Sequence, residues 1–329
     1  MIDYLLIVVA CMLIALQFTA NKVYQRNATQ SKGDMMLYPM VTGIFSLVIF
    51  VILGLITGDF LSGFFASVKT LTFWLGLLNA TLGALSIVFG VLTAKHGSTA
   101  VYSVFMMLGS MIIATLFGIT VWSEPANVLK IVGIVLLMIS IVIPVIGKGE
   151  KMNLTFTILC VIAGTINGFY TVVSIWHSKL IGTDSVTNVN SFMNWQYLFM
   201  AIICLVTYVV MKFIIKVDKK GESISPSVCD NTMAVESKKP FYKKLIVILI
   251  LSAGLYSLSS GFGYLAQLIV LENLPATVVT PCVSGLAIVF SAVAGYVFFK
   301  EKTGIKDLIS IAITIVGVAL IIIDALVVI

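Results

Sequence analysis

The sequence predicts an all-α, polytopic membrane protein: ten transmembrane helices in two inverted five-helix repeats. Three observations predict it. Ten stretches run free of Asp, Glu, Lys and Arg, the basic residues gather between alternate stretches, and a hairpin late in the chain has a counterpart in the first half. Composition agrees. The chain is 60% hydrophobic and 10% charged, with a mean hydropathy of +1.13, which leaves too few charges to coat a soluble body of 329 residues. The net charge of +6 does not point to nucleic acid, because the basic residues lie in loops between spans.

The first run, 4–21, follows Met1-Ile2-Asp3 and precedes Lys22 and Arg26. That reverses the charge order of a secretory signal, so a retained first helix is expected. It carries Gln17 and Asn21, and the neighbouring Lys22 can snorkel to the interface. The runs 35–58 and 70–94 offer one amide, Asn79. The fourth run, 97–123, carries Tyr102 and ends at Glu124, a hinge before the fifth run, 131–147. In the sixth, 152–178, Asn167, Tyr170 and Ser174 share one helical face. The seventh, 185–211, leads into a polar stretch, 217–244, with Pro226 and Pro240, expected to be a flexible linker. The eighth, 245–271, aligns Tyr256, Ser260, Tyr264 and Gln267 in one stripe. The ninth, 275–299, holds Thr280 and Ser284, with Pro281 expected to kink it; Glu301 stands at the hinge before the tenth, 308–323. Continuous apolar runs of this length form helices that cross a ~30 Å hydrocarbon layer, not barrel strands.

Sidedness follows from Lys and Arg. Seventeen of the 20 lie in odd-numbered loops, and Lys69, Lys130 and Lys179 alone occupy even-numbered ones. The odd loops are therefore expected in the cytoplasm, and both termini outside the cell membrane. Setting Glu301 over Glu124, an offset of 177, also sets Gly295 over Gly118 and Val278 over Val101. The two units are 1–147 and 148–329, the second including the 217–244 loop. Five helices is an odd number, so consecutive units enter the membrane in opposite senses, as in carriers that bind substrate at the midplane between inverted halves.

The block GYVFFKEKTGIKDLISIAITIVGVAL, echoed by GITVWSEPANVLKIVGIVLLM, and the PATVVTP start of the ninth run resemble the drug/metabolite transporter superfamily in its EamA-like branch. The resemblance extends over nearly the whole chain and implies a ten-helix secondary carrier or exporter of small metabolites. The first half departs from the pattern: Ser98 stands opposite Pro275, and Ala15-Leu16-Gln17 replaces a Trp-Gly pair.

The expected substrate cavity is formed by Gln17, Asn21, Asn79, Tyr102, Asn167, Tyr170, Ser174, Tyr256, Ser260, Tyr264, Gln267, Thr280 and Ser284. Polar groups inside hydrocarbon face the bundle interior, and the plainer role for each is to hydrogen-bond one helix to another. No Asp, Glu, Lys or Arg lies deep in a run, so a neutral or zwitterionic solute is expected. Glu124, Glu301 and Pro281 have hinge or structural roles in this picture. All four Trp fall near span ends and suit an interfacial belt. Two terminal His and no deep carboxylate argue against an enzyme, a metal site or a cofactor. The partners called for are the lipid bilayer and a small-molecule substrate, with no nucleic acid; a homodimer is compatible. A lipid-carrier flippase is the alternative, with only Lys22 and the cytoplasmic Lys clusters to meet a phosphate.

Overall fold

The computed structural model describes residues 2–27, 34–57, 63–93, 99–143, 154–180, 188–221, 238–299 and 304–328. Ten α-helices follow in order: α1 (Ile2–Asn27), α2 (Asp34–Thr57), α3 (Leu71–Thr93), α4 (Thr99–Thr120), α5 (Val128–Val142), α6 (Leu154–Leu180), α7 (Val189–Gly221), α8 (Lys238–Asn273), α9 (Ala276–Phe299) and α10 (Ile305–Val328). Each overlaps one of the uncharged runs. Without water to satisfy peptide groups, an apolar segment closes its own hydrogen bonds, and the helix is the form that does so. Segments in α2 and α6–α10 are long and apolar enough to cross a membrane, and α1, α3, α4 and α5 contain shorter apolar helices.

One boundary is corrected. The predicted linker 217–244 is helical at both ends, since α7 continues through Gly221 and α8 begins at Lys238; residues 222–237 lie outside the described residues. A charge-free run marks only the part of a helix that sits in hydrocarbon. Lys is a good helix former, and its stem reaches the interface, so the helix continues where the run stops.

Helices of the first five pack chiefly on helices of the last five. α1 lies against α8 and α9, α2 against α7 and α8, α3 against α6 and α7, α4 against α6 and α9, and α5 against α10. Small residues allow the closest crossings. A Cβ on Gly109 would lie 2.0 Å from the carbonyl oxygen of Gly164, so α4 and α6 meet backbone to backbone. On α5 and α10, a Cβ on Gly133 would lie 2.8 Å from the Gly317 oxygen, and one on Gly317 2.9 Å from the Gly133 oxygen. Farther along the same pair, the Ser310 hydroxyl donates to the Ser140 carbonyl at 2.7 Å.

All ten helices place one end at the side that carries the termini. The largest buried cluster is weighted toward that side: Ile7, Cys11, Phe50, Leu75, Phe192, Leu271, Val278 and Cys282 belong to it. The opposite side has two smaller clusters, Tyr24–Tyr38–Ala253 and Phe156–Cys160.

Candidate functional site

The interior polar residues form two hydrogen-bonded groups, one above the other along the bundle. The first centres on Asn79, which is fully buried in α3. Its Nδ2 lies 3.1 Å from Gln196 Oε1 on α7, 3.1 Å from the Tyr264 hydroxyl on α8 and 3.1 Å from Ser174 Oγ on α6. Gln196 Nε2 donates to the Tyr170 hydroxyl at 2.7 Å, and Tyr264 also hydrogen-bonds with Ser174. The Tyr170 and Tyr264 rings stack with centroids 5.8 Å apart. These residues stand six to ten positions from the terminus-bearing helix ends, about 9–15 Å into the bundle at 1.5 Å per residue.

In the second group, Gln17 Nε2 donates to the Tyr256 hydroxyl at 2.9 Å, joining α1 to α8. Tyr38 meets Tyr256 edge to face at 5.8 Å and stacks on Tyr24 at 4.2 Å. Ser260 lies close to both Tyr256 and Tyr197, and Ser46 close to Tyr197. Ser260 and Tyr197 thus lie between the two groups. Tyr170, Tyr256, Tyr264 and Gln17 are half-buried, while Asn79, Ser174 and Gln196 are buried.

Seven of the expected cavity residues, Gln17, Asn79, Tyr170, Ser174, Tyr256, Ser260 and Tyr264, fall in these two groups. Others do not. Asn167 Nδ2 donates to the Met106 carbonyl at 2.9 Å, and the Tyr102 hydroxyl to the Ser86 carbonyl at 3.2 Å; both act as helix-to-helix ties. Thr280 and Ser284 are buried on α9 between core residues Val279, Cys282 and Val283, and Gln267 is half-buried on α8 outside both groups. Pro281 is buried within the first turns of α9, which continues through it. The Asn21 side chain and Glu301 lie outside the described residues. Gln196 and Tyr197 were missed in the sequence, as were Tyr24, Tyr38 and Ser46 around the second group. For the first two the signal was available, since Asn194-Trp195-Gln196-Tyr197 interrupts the apolar seventh run with polar groups.

Trp195 departs from the interfacial belt. It is buried, stacks on Phe64 at 4.1 Å and donates from Nε1 to Ser67 Oγ at 2.9 Å. Trp74 and Trp176 are exposed, as belt residues would be.

Charge is concentrated at the terminus-bearing end. The turn after α4 puts Ser123 at φ 53°, in the left-handed region, and the Glu124 N–H donates to the Gly118 carbonyl at 2.9 Å. The Glu124 carboxylate then accepts from the Ala276 and Thr277 N–H groups at 3.0 and 2.9 Å, capping the start of α9, and from Lys179 Nζ at 2.9 Å. A helix start offers unpaired N–H groups and a positive dipole end to such an anion. Burial alone would raise the Glu124 carboxyl; hydrogen bonds from Lys179, Thr277 and Ala276 outweigh it and hold the group below its ordinary value. Nearby, Lys130 Nζ donates to the Pro125 carbonyl at 2.7 Å and lies 3.6 Å from Asp324 Oδ2, both side chains being buried. Both residues stand just outside the charge-free runs 131–147 and 308–323, near the ends of their helices. α5 and α10 extend past their charge-free runs, and each cation's partner comes from the other half of the chain.

Comparison with known proteins agrees with this helical arrangement. A model of the EamA-like transporter family matches residues 154–323, which span α6–α10. No curated protein matches the chain. Among solved structures, 29 chains match. One crystal structure aligns over 98% of this chain and 97% of its own, with a TM-score of 0.68 and 13% sequence identity, a likeness of fold.

Proposed function

Since the chain belongs to the EamA-like transporter family, within the drug/metabolite transporter superfamily, we propose that it is a secondary carrier that moves a small neutral or zwitterionic organic metabolite across the cell membrane by alternating access. It does no bond-making chemistry. The observation that carries this reading is the Asn79–Gln196–Tyr170–Tyr264 group: uncharged, near mid-depth, and assembled from α3 of the first half and α6–α8 of the second.

Alternating access requires two halves that exchange roles, and several features support an inverted repeat. If α1–α5 correspond to α6–α10, the contact α1–α8 exchanges with α6–α3, α4–α6 with α9–α1, and α3–α7 with α8–α2, and all six are present. The contacts α2–α7, α4–α9 and α5–α10 map onto themselves and are present too. The offset of 177 relates the starts of α4 and α9, Thr99 and Ala276, and of α5 and α10, Val128 and Ile305. The same offset carries the Gly133–Gly317 crossing onto Ser310–Ser140, so both close points of α5 on α10 obey one dyad. With Lys and Arg setting orientation, the termini and the Glu124–Lys179 end face outward.

Transport by proteoliposomes tests the proposal. Substrates are first found by thermal shift against a metabolite collection, since a ligand that binds only the folded state stabilises it. Tyr264→Ala and Gln196→Leu are expected to lower uptake at least about tenfold, as loss of a well-placed buried hydrogen bond predicts. Parental rates in both variants, for every substrate found, overturn the site.

A further inference from the structure

Two ring stacks stand at opposite ends of the bundle in matching positions. Tyr24 on α1 stacks on Tyr38 on α2 with centroids 4.2 Å apart and planes at 16°. His177 on α6 stacks on Phe192 on α7 at 4.1 Å and 14°. We propose that these stacks are two gates, related by the dyad and opened in turn, with His177–Phe192 closing the terminus-bearing end and Tyr24–Tyr38 the other. This rests on the carrier reading, and it adds the residues that close each side of the belt around Asn79.

The correspondence runs past the rings. Tyr24 and His177 are 153 positions apart and Tyr38 and Phe192 are 154 apart, offsets that pair α1 with α6 and α2 with α7. Behind the stacks, the offset of 177 pairs α3 with α8. Thr72, whose Oγ1 lies 3.4 Å from His177 Nε2, then answers to Leu249, which packs on the Tyr24–Tyr38 cluster. Depth agrees as well. Tyr24, His177 and Phe192 each stand three positions from a helix end, and Tyr38 four. Packing gives the stacks their work. α6 and α7 both lie against α3, and α1 and α2 both against α8, yet among the described residues neither α6 with α7 nor α1 with α2 packs extensively. Each ring pair therefore bridges two helices that are held together chiefly through a third. His177 is one helical turn beyond Ser174, and Phe192 one turn beyond Gln196, both toward the terminus-bearing end, so the outer stack lies over the belt. All four rings are buried, so both gates are shut in this structure. Stacked rings suit a gate, since they exclude water when closed and part without stranding a charge.

The test reads accessibility and needs no substrate. In the full chain with Cys11, Cys160, Cys204, Cys229 and Cys282 replaced by Ala or Ser, Ser174→Cys reports from beneath the outer gate. Gln17→Cys, seven positions inward of Tyr24, reports from beneath the inner one. A membrane-impermeant maleimide is applied to the first from the terminus-bearing side and to the second from the opposite side. Phe192→Ala is expected to raise labelling of Ser174→Cys about threefold or more and to lower that of Gln17→Cys about as much; Tyr38→Ala should do the reverse. The crossed pattern separates gating from loosening, because a chain that merely loosens labels faster at both places. Both rates rising together, neither changing, or a rise at one end without a fall at the other overturns the paired gates. Tyr24→Ala tests the inner stack again where Tyr38→Ala fails to fold. A crossed pattern in a chain that moves no metabolite in proteoliposomes keeps the stacks as gates and sinks the carrier reading, whereas transport without the pattern sinks the gates alone.

Discussion

Glu124 joins three parts of the molecule: the turn after α4, the start of α9 and Lys179 at the end of α6. Gly118 makes room for it, since a Cβ there would lie 2.9 Å from Glu124 Oε2 and 2.7 Å from Thr277 Cγ2. Glu124→Gln keeps the shape but loses the charge-assisted bonds, and is expected to cost about 1–3 kcal/mol in unfolding measurements. The folded carboxyl lies below its ordinary value of 4.5, so its contribution is present above that value and lost as pH falls through the folded one. The melting difference between parent and Glu124→Gln is therefore expected to be full at pH 7 and to shrink as pH drops below about 4. A difference that stays constant down to pH 3 would mean the carboxylate charge is not what the site uses. The sequence made Glu124 visible as a hinge, through its echo at Glu301. It did not reveal the bond to α9, because the partners are backbone N–H groups 152 and 153 residues away, and N–H groups leave no mark in side-chain pattern.

At the scale of elements, charge-free runs located all ten helices, because hydrocarbon excludes charge along the whole of a span. They could not say which residue meets which. Asn167 shares a face with Tyr170 and Ser174, yet it ties α6 to Met106 on α4 instead of joining Asn79. Three residues on one stripe can still meet two different neighbours, and only the crossing geometry decides. That crossing is set by glycine. Gly109→Ala would drive a methyl into the Gly164 carbonyl, and Gly164→Ala would set one 2.4 Å from the Phe105 oxygen. Each is expected to lower the melting temperature by several degrees, with a loss of about 1–3 kcal/mol or more from overpacking. Gly254 is the control: a Cβ there would meet nothing within 4 Å, so Gly254→Ala should be neutral or slightly stabilising in the same assay. Equal losses at Gly254 and Gly109 would show that α4 and α6 do not cross where described.

At the scale of the whole molecule, the terminus-bearing end is shut in two ways. Ile7, Cys11, Leu268, Val278, Val279 and Cys282 pack it with apolar side chains, and two ion pairs cross between halves around it: Glu124 to Lys179 and Lys130 to Asp324. The Lys130–Asp324 pair is fully buried, so removing one partner would strand a charge; the Glu124–Lys179 pair is partly open to solvent at the lysine and is the one that can be released cheaply. Opening this end must separate α9 from α1, which meet where the Cys11 thiol lies 3.7 Å from the Val283 carbonyl. Cys11 and Cys282 are both fully buried in the closed arrangement, so they report on it directly. With Cys160→Ala, Cys204→Ala and Cys229→Ser in place, a membrane-impermeant maleimide added outside is expected to label the remaining pair slowly. Adding Glu124→Gln should raise that rate about tenfold, the population shift that a latch worth ~1.4 kcal/mol in the closed state would produce. Labelling from outside that never occurs, in the parent or in the variant, even during substrate turnover, would mean this end does not open, and alternating access through the Asn79 belt would fail with it.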